Sequence, residues 1–264
     1  MYTQSLGFRT DLMLRRLEGS QITERDGYLV VRSPANPTFW WGNFLLLPAA
    51  ALDDPDRVTV WTSRFAEAFP DAGHVALGVD TPRGDADVAD FVAAGYQVER
   101  STVLAAEAVR EPPHLNSTAL VRPLESEDDW RQSLELRLAC NESEDYVAAH
   151  EFLERRTVQA RGLVKAGHGA WFGAFTGDRL AAQLGVFSDG GAIARYQGVE
   201  THPSARRQGL AGTLVYRAGE HALRTLGAQT LVIVADPGYS AIRLYRAAGF
   251  ADREDQLEFQ RTSG

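Results

Sequence analysis

Cysteine is almost absent: Cys140 is the single one in 264 residues. That excludes an intrachain disulfide and any metal site built from several thiolates. Acidic residues follow it in Asn141-Glu-Ser-Glu, and Cys140 is expected as a small buried hydrophobe rather than a nucleophile. Positive charge is also scarce, 27 Lys+Arg against 35 Asp+Glu, for a net charge of -8. That balance argues against nucleic-acid binding, which needs a basic face to release counterions. No apolar window approaches the roughly 18 residues of a membrane span. The first residues, Met1-Tyr-Thr-Gln-Ser-Leu-Gly, lack the basic-then-apolar pattern of a signal peptide. A cytoplasmic protein with neither a nucleic-acid nor a membrane partner is expected. The histidines have no acidic partners at ligand spacing, so no metal is expected either. What is there is a globular composition, 44% hydrophobic and 23% charged, in a chain long enough for one large domain or two ordinary ones.

Two adjacent prolines in Arg110-Glu-Pro-Pro-His-Leu-Asn-Ser117 can neither continue a helix nor donate to a sheet ladder. The boundary is expected there, between domains over 1–112 and 113–264. Ahead of it, β-branched and aromatic runs bounded by turn residues predict strands over 28–32, 39–47, 74–79 and 96–106, with helices over 57–69 and 86–94. Beyond it the pattern predicts a strand at 118–122, helices over 127–140 and 146–165, and strands over 169–176, 179–188 and 192–201. A helix over 210–226, a strand over 230–235, a short helix over 240–248 and a closing strand over 254–260 follow. A meander of strands feeding a β-α-β unit makes the fold class α/β, a mixed twisted sheet flanked by helices. Both halves finish alike: Ala93-Ala-Gly-Tyr96 and Ala247-Ala-Gly-Phe250 each read as a glycine-capped helix followed by an aromatic that starts a strand. With a matched strand, helix and strand before each, this predicts a tandem repeat.

The most telling stretch is Val199-Glu-Thr-His-Pro-Ser-Ala-Arg206-Arg-Gln-Gly209-Leu-Ala211-Gly-Thr-Leu214. It reads as a strand ending at His202-Pro203, an arginine-flanked glycine turn, and an amphipathic helix. A helix that opens on small residues leaves backbone N–H groups unpaired and adds the positive end of its dipole, so an anion is expected to dock there. Gly209, Ala211 and Gly212 let a phosphate approach the backbone, and Arg206 and Arg207 add permanent charge. The nucleotide readings fail: Gly212-Thr213 lacks a phosphate-loop lysine, and no G-x-G-x-x-G follows the first strand. Arg206-Arg-Gln-Gly209-Leu-Ala211 behind Val-x-x-His-Pro resembles motif A of the GNAT superfamily of acetyl-CoA-dependent N-acyltransferases. Ala241-Ile-Arg-Leu244-Tyr245-Arg-Ala-Ala-Gly249-Phe250 resembles that family's motif B, one strand and one helix later. The resemblance covers about 117–258.

What the resemblance implies is an acetyltransferase with acetyl-CoA as cosubstrate and no metal. The backbone of Val199, Glu200 and Thr201 would pair with the pantetheine arm, and one N–H there would hold the thioester oxygen. Arg206, Arg207, Gln208, Gly209, Leu210, Ala211, Gly212 and Thr213 would cradle the pyrophosphate. Tyr245 would protonate the departing thiolate, since a tyrosine with an ordinary pKa near ~10 keeps its proton at neutral pH. Glu200 is the candidate base, although regular strand geometry points it away from the face of Val199 and Thr201 unless a bulge reorients it. Tyr196 and Gln197 are candidate water holders. The family commonly has Asn seven residues before the tyrosine. Here that position is Gly238, so either Ser240 or the Asp236 carboxylate substitutes or that contact is missing.

The acceptor is expected to be a small-molecule or peptide amine, and the chain a monomer or homodimer. Asn141, Glu142, Glu144, Asp145 and Tyr146 cluster where the first two helices of the second half meet. They read either as a cradle for a cationic amine or as an acidic helix cap with Ser143 as its capping residue. The first half has no R-x-x-G-x-A at the matching place, where Asp80-Thr-Pro-Arg follows the strand. It looks like a degenerate domain of the same kind without a cofactor site. Trp40, Trp41 and Phe44 are expected in its packing. A noncatalytic acyl-CoA-binding or interaction protein is the alternative at this point.

Overall fold

The Asp26-Gly27 pair has both residues left-handed, φ 43° and 85°, the geometry of a two-residue hairpin turn whose twist matches the flanking strands. It joins β1 (Gln21–Arg25) to β2 (Tyr28–Arg32). In this computed structural model all residues are described except Arg83, Gly84, Glu142, Glu144 and Gly264. The chain forms two compact units, Met1–Val103 with Val234–Tyr239 and Arg253–Gly264, and Leu104–Ile233 with Ser240–Asp252.

In the first unit α1 (Leu6–Leu17) precedes the hairpin, and β3 (Phe44–Pro48), α2 (Arg57–Ala68), β4 (His74–Asp80), α3 (Ala89–Ala93) and β5 (Gln97–Ala106) follow. The sequence pattern missed α1 because Gly7, Thr10 and Arg15 interrupt its apolar stripe. All three are buried there, and a Cβ on Gly7 would come within 2.1 Å of the Gln256 side chain. The strand expected over 39–47 starts only at Phe44. Trp40–Gly42 is a turn of 3-10 helix. Asn43 holds it, accepting from the Ser33 N–H at 3.0 Å and donating to the Asn36 and Phe39 carbonyls at 3.0 and 2.9 Å. Trp40 stacks on His74 at 5.2 Å and Trp41 lies 5.5 Å from Phe44, so these aromatics do pack within the unit. Strands β2, β3 and β4 supply the core with Val30, Val31, Leu45, Leu46, Leu47, Ala76 and Leu77, all fully buried.

The second unit runs β6 (Leu120–Pro123), α4 (Glu127–Cys140), α5 (Tyr146–Lys165), β7 (Gly169–Thr176), β8 (Arg179–Phe187), β9 (Ile193–Thr201), α6 (Leu210–Arg224), β10 (Thr230–Ala235) and α7 (Ala241–Ala247). Its strands lie in the order β10-β9-β8-β7-β6. Pairing is antiparallel from β6 to β9 and parallel between β9 and β10. Neighbouring strand residues face opposite sides of a sheet. Trp171 meets α4 through Arg137, and Phe172 meets α6 through His221, so α4 and α6 cover opposite faces. Ser126 and Asp129 form a capping box at α4, and Arg122 grips the Asp129 carboxylate with two bonds of 2.7 and 2.8 Å. Asp145 rather than Ser143 caps α5, accepting from the Ala148 N–H at 3.0 Å.

The last strand, β11 (Ala251–Thr262), differs from the expectation that it closes the second half. It pairs antiparallel with β4, Leu257 opposite Val79 and Phe259 opposite Leu77, in the first unit. Nor is the double-proline segment a free connection. It lies within the second unit, where the Arg110 N–H bonds the Ala248 carbonyl at 2.8 Å. The two similar helix ends are built alike. Gly95 and Gly249 have φ of 81° and 103°, and the N–H groups of Tyr96 and Phe250 reach back to the carbonyls of Phe91 and Tyr245, a glycine-closed helix end in each case.

Candidate active site

Two features of backbone geometry converge where β9 runs into α6. The first is a bulge. Along β8 and β9, Gln183 faces Glu200 but Gly185 faces Gln197, so Gly198 and Val199 together oppose one residue. Gly198 has φ +56°, the left-handed conformation that a bulge of this kind requires. The consequence is a change of face. The Tyr196 hydroxyl donates to the Val215 carbonyl of α6 at 2.9 Å. In a regular strand Glu200, four residues on, would share that face. It points instead toward α4, where its carboxylate accepts from the Gln183 amide at 2.7 Å and lies 3.8 Å from Arg137 Nε.

The second feature is the turn into α6. Arg207 has φ +61°, one of two non-glycine residues with positive φ among those described, and Gly209 has φ +75°. A residue with a Cβ pays to be left-handed, of order 1 kcal/mol or more, and such outliers gather at ligand clamps. No side chain caps α6, and its first internal bond is the Thr213 N–H to the Gly209 carbonyl at 3.0 Å. The N–H groups of Leu210, Ala211 and Gly212 therefore form the uncapped positive end of the helix. Arg206, Arg207 and Gln208 beside it are exposed, while Leu210 and Gly212 are buried.

The segment expected to be a linker backs this turn. The Asn116 side chain donates to the Gln208 carbonyl at 2.8 Å and its N–H donates to Thr213 Oγ1 at 2.8 Å. A Cβ on Gly209 would stand 2.5 Å from the His114 carbonyl, so only glycine allows that approach. Thr213, expected to face a pyrophosphate, is buried, and its hydroxyl also donates to the Gly209 carbonyl at 2.9 Å. Its use within the fold is to tie the turn to its backing.

Around Glu200 the fold is polar and ordered. Gln183 is fully buried, and its Oε1 accepts from Ser133 Oγ at 2.6 Å and Trp171 Nε1 at 3.1 Å. That fixes its amide to donate toward Ser133 O and Glu200. Burial pushes the Glu200 carboxyl up, against the opposing pull of Arg137 and Gln183. The Tyr196 hydroxyl is buried on the α6 side, and burial raises its pKa; it holds the helix and is not a water holder beside Glu200. Gln197 bonds the carbonyl of Tyr196. Cys140 sits by the end of β9, its thiol 3.4 Å from the Thr201 carbonyl, and burial followed by Glu200 raises its pKa; that keeps it a thiol.

Tyr245 lies on α7 and is 6% exposed. Its helix meets α6 through Leu244, whose Cδ1 is 3.9 Å from where a Gly212 Cβ would be. Ser240 is exposed at the start of that helix without a capping bond, and Asp236 spends its carboxylate on the Gly238 N–H. Of the acidic junction, Glu142 and Glu144 lie outside the described residues. Asn141, Asp145 and Tyr146 are exposed. In the first unit Asp80 stands where the sequence would need an anion cradle. It is 3% exposed and accepts from the Gln4 and Ser5 N–H groups, so a buried carboxylate there repels phosphate.

The beginning of the parallel pairing is close, with Ile193 opposite Thr230 and Arg195 opposite Val232, and the paired register ends there. From Tyr196 to Thr201 β9 continues beyond the paired segment of β10. Ser133, Arg137, Gln183 and Trp171 were missed in sequence because they come from three elements. The one local signal was Gly198 inside a strand pattern.

Residues 130–250 match the model of the acetyltransferase (GNAT) family. No curated protein matches the sequence. Among solved structures, a GCN5-related N-acetyltransferase from Kribbella flavida is similar over 99% of this chain and 97% of its own, with TM-score 0.66 and 15% identity. A GCN5-related N-acetyltransferase from Sphaerobacter thermophilus covers 89% of this chain and 80% of its own, with TM-score 0.58 and 14% identity. A tandem GNAT protein from the clavulanic acid biosynthesis pathway covers 98% and 94%, with TM-score 0.55 and 16% identity. Tandem domains of mixed sheet and flanking helices are therefore the fold class. Among the described residues no group of three or more His, Cys, Asp or Glu is arranged to hold a metal, and no helix is long and apolar enough to cross a membrane.

Proposed function

We propose that the chain, whose residues 130–250 match the model of the acetyltransferase (GNAT) family, is an acyltransferase that moves an acetyl group from acetyl-CoA to a primary amine by direct attack. The observation that carries this reading is the uncapped N-terminus of α6 behind two left-handed residues, Arg207 and Gly209, at the end of a bulged strand. Backbone N–H groups of Leu210, Ala211 and Gly212 face a diphosphate, with Arg206 and Arg207 adding charge. The exposed side chain of Ser240 is available to the arm of the donor. The edge of β9 at Val199 to Thr201 takes the pantetheine arm as an added strand, and one N–H there stabilises the oxyanion.

Glu200 receives the proton of the attacking amine. The nitrogen then bonds the carbonyl carbon, the C–S bond breaks, and Tyr245 returns a proton to the thiolate. A carboxyl raised by burial suits that duty, since its affinity for a proton moves toward the working pH. No nucleophile is placed for a covalent intermediate in this scheme, in keeping with attack within a ternary complex.

The test is calorimetric titration with CoA combined with turnover on a panel of amines. Tyr245→Phe is expected to keep the CoA dissociation constant and lose about 10²-fold or more in kcat. Tight CoA binding by the parent protein with no turnover of any amine would instead identify a noncatalytic acyl-CoA-binding protein.

A further inference from the structure

Arg137 on α4 is a buried guanidinium that the fold leaves short of partners. It is 8% exposed and lies over the Trp171 ring at 4.6 Å, and its Nε has no hydrogen-bond partner among the described residues. Among the described residues its one counter-charge is Glu200 at 3.8 Å, outside hydrogen-bond range. A buried ion pair repays its desolvation only when its members are also hydrogen-bonded. Glu200 accepts from the Gln183 amide, but no hydrogen bond joins it to the guanidinium, and burial lowers the pKa of Arg137 and raises that of Glu200.

The pair is also reachable. A quarter of the Glu200 side chain is open, 25% by exposed area, and Gly198 beside it is exposed. A Cβ on Gly198 would stand 3.0 Å from Trp171 Cη2 and 3.4 Å from Arg137 Nη2. The exposed strand at Gly198 therefore lies directly against Trp171 and Arg137, with Glu200 two residues along it.

We propose that Arg137 binds the carboxylate of the acceptor, making the acceptor a free α-amino acid whose amine faces Glu200. The inference rests on the acetyltransferase reading. It follows from charge complementarity: a protein cation and anion 3.8 Å apart match a ligand whose amine and carboxylate share one carbon. It also follows from charge balance. When Glu200 takes the amine's proton, Arg137 loses its counter-charge, and the ligand carboxylate supplies another within the same buried space.

The experiment measures kcat/KM for a series of α-amino acids, each beside its carboxamide and its decarboxylated amine, with acetyl-CoA as donor. The amino acids are expected to be favoured about tenfold or more, because the amide and amine leave the guanidinium unpaired. Arg137→Met is expected to erase that preference through KM while the CoA dissociation constant stays unchanged, and Arg137→Lys to retain part of it. A merely structural role would lower all three acceptor types together. The preference of the parent protein stands as a test even if a variant fails to fold. Carboxamides and decarboxylated amines turned over as well as the amino acids would overturn the assignment while leaving the acetyltransferase reading intact. Failure of the parent to bind CoA would remove both.

Discussion

Glu200 is where a single side chain depends most on its surroundings. Burial raises its pKa, while Arg137 and the locked Gln183 amide pull the other way. If it is the base, kcat/KM should climb with pH through a midpoint above the usual carboxylate range, because only the ionised form accepts the proton. Glu200→Gln should flatten that limb and cost about 10²–10⁴ in rate, measured as a pH–rate profile; an unchanged limb would assign it elsewhere. Gly209 is the complementary case. It is left-handed, and a Cβ would stand 2.5 Å from the His114 carbonyl. Gly209→Ala should therefore weaken CoA binding and destabilise the protein by about 1–3 kcal/mol, read by calorimetry and urea unfolding. The residues of this turn were legible in the sequence because their chemistry is local. Arg137, Gln183 and Trp171 were not, since each comes from a different element and acquires its partner only on folding.

At the scale of elements, the two helices α4 and α5 were legible to the residue, since both have polar caps and sustained apolar spacing. The capping box of α4 is reinforced by Arg122, so Asp129 serves a helix and a strand at once. The Arg122 bonds, followed by backbone N–H groups, hold its carboxyl well below the usual range. A depressed folded pKa means the unfolded chain takes up the proton first as pH falls. The stability is therefore complete above the ordinary Asp pKa of about 3.9 and is lost as pH drops toward the folded value. Asp129→Ala should cost about 2–3 kcal/mol at neutral pH and progressively less in acid, followed by urea unfolding at several pH values. Strand β9 was legible as a strand, and its bulge only as the condition under which Glu200 would change face. Periodicity finds strands, whereas a bulge is decided by register with a neighbour.

The whole molecule is two units whose chain path the sequence did not disclose. The final strand returns to the first unit, where Phe259 is fully buried and stacks 4.1 Å from Phe91. Deleting residues from 253 onward should leave β4 paired with β3 alone and strip that core, giving a first unit that exchanges its amides freely and a protein that aggregates. Soluble, protected protein after the deletion would show that β11 is dispensable. The helix-closing glycines at Gly95 and Gly249 were legible as a repeated device, and both adopt the left-handed turn. The first unit carries Asp80 rather than an anion cradle at the end of β4, which leaves the proposed phosphate site to the second.

By itself the sequence determined the order of most elements, the two motifs that resemble the family's and the glycine turn proposed to bind an anion, because propensity, capping and glycine placement act over a few residues. Only the tertiary structure decided which face Glu200 occupies, what Arg137 lacks, that the double-proline segment backs the turn into α6, and where the last strand pairs. Each of these depends on contacts between residues distant in the chain, whose distances and registers are set by packing and not by local preference.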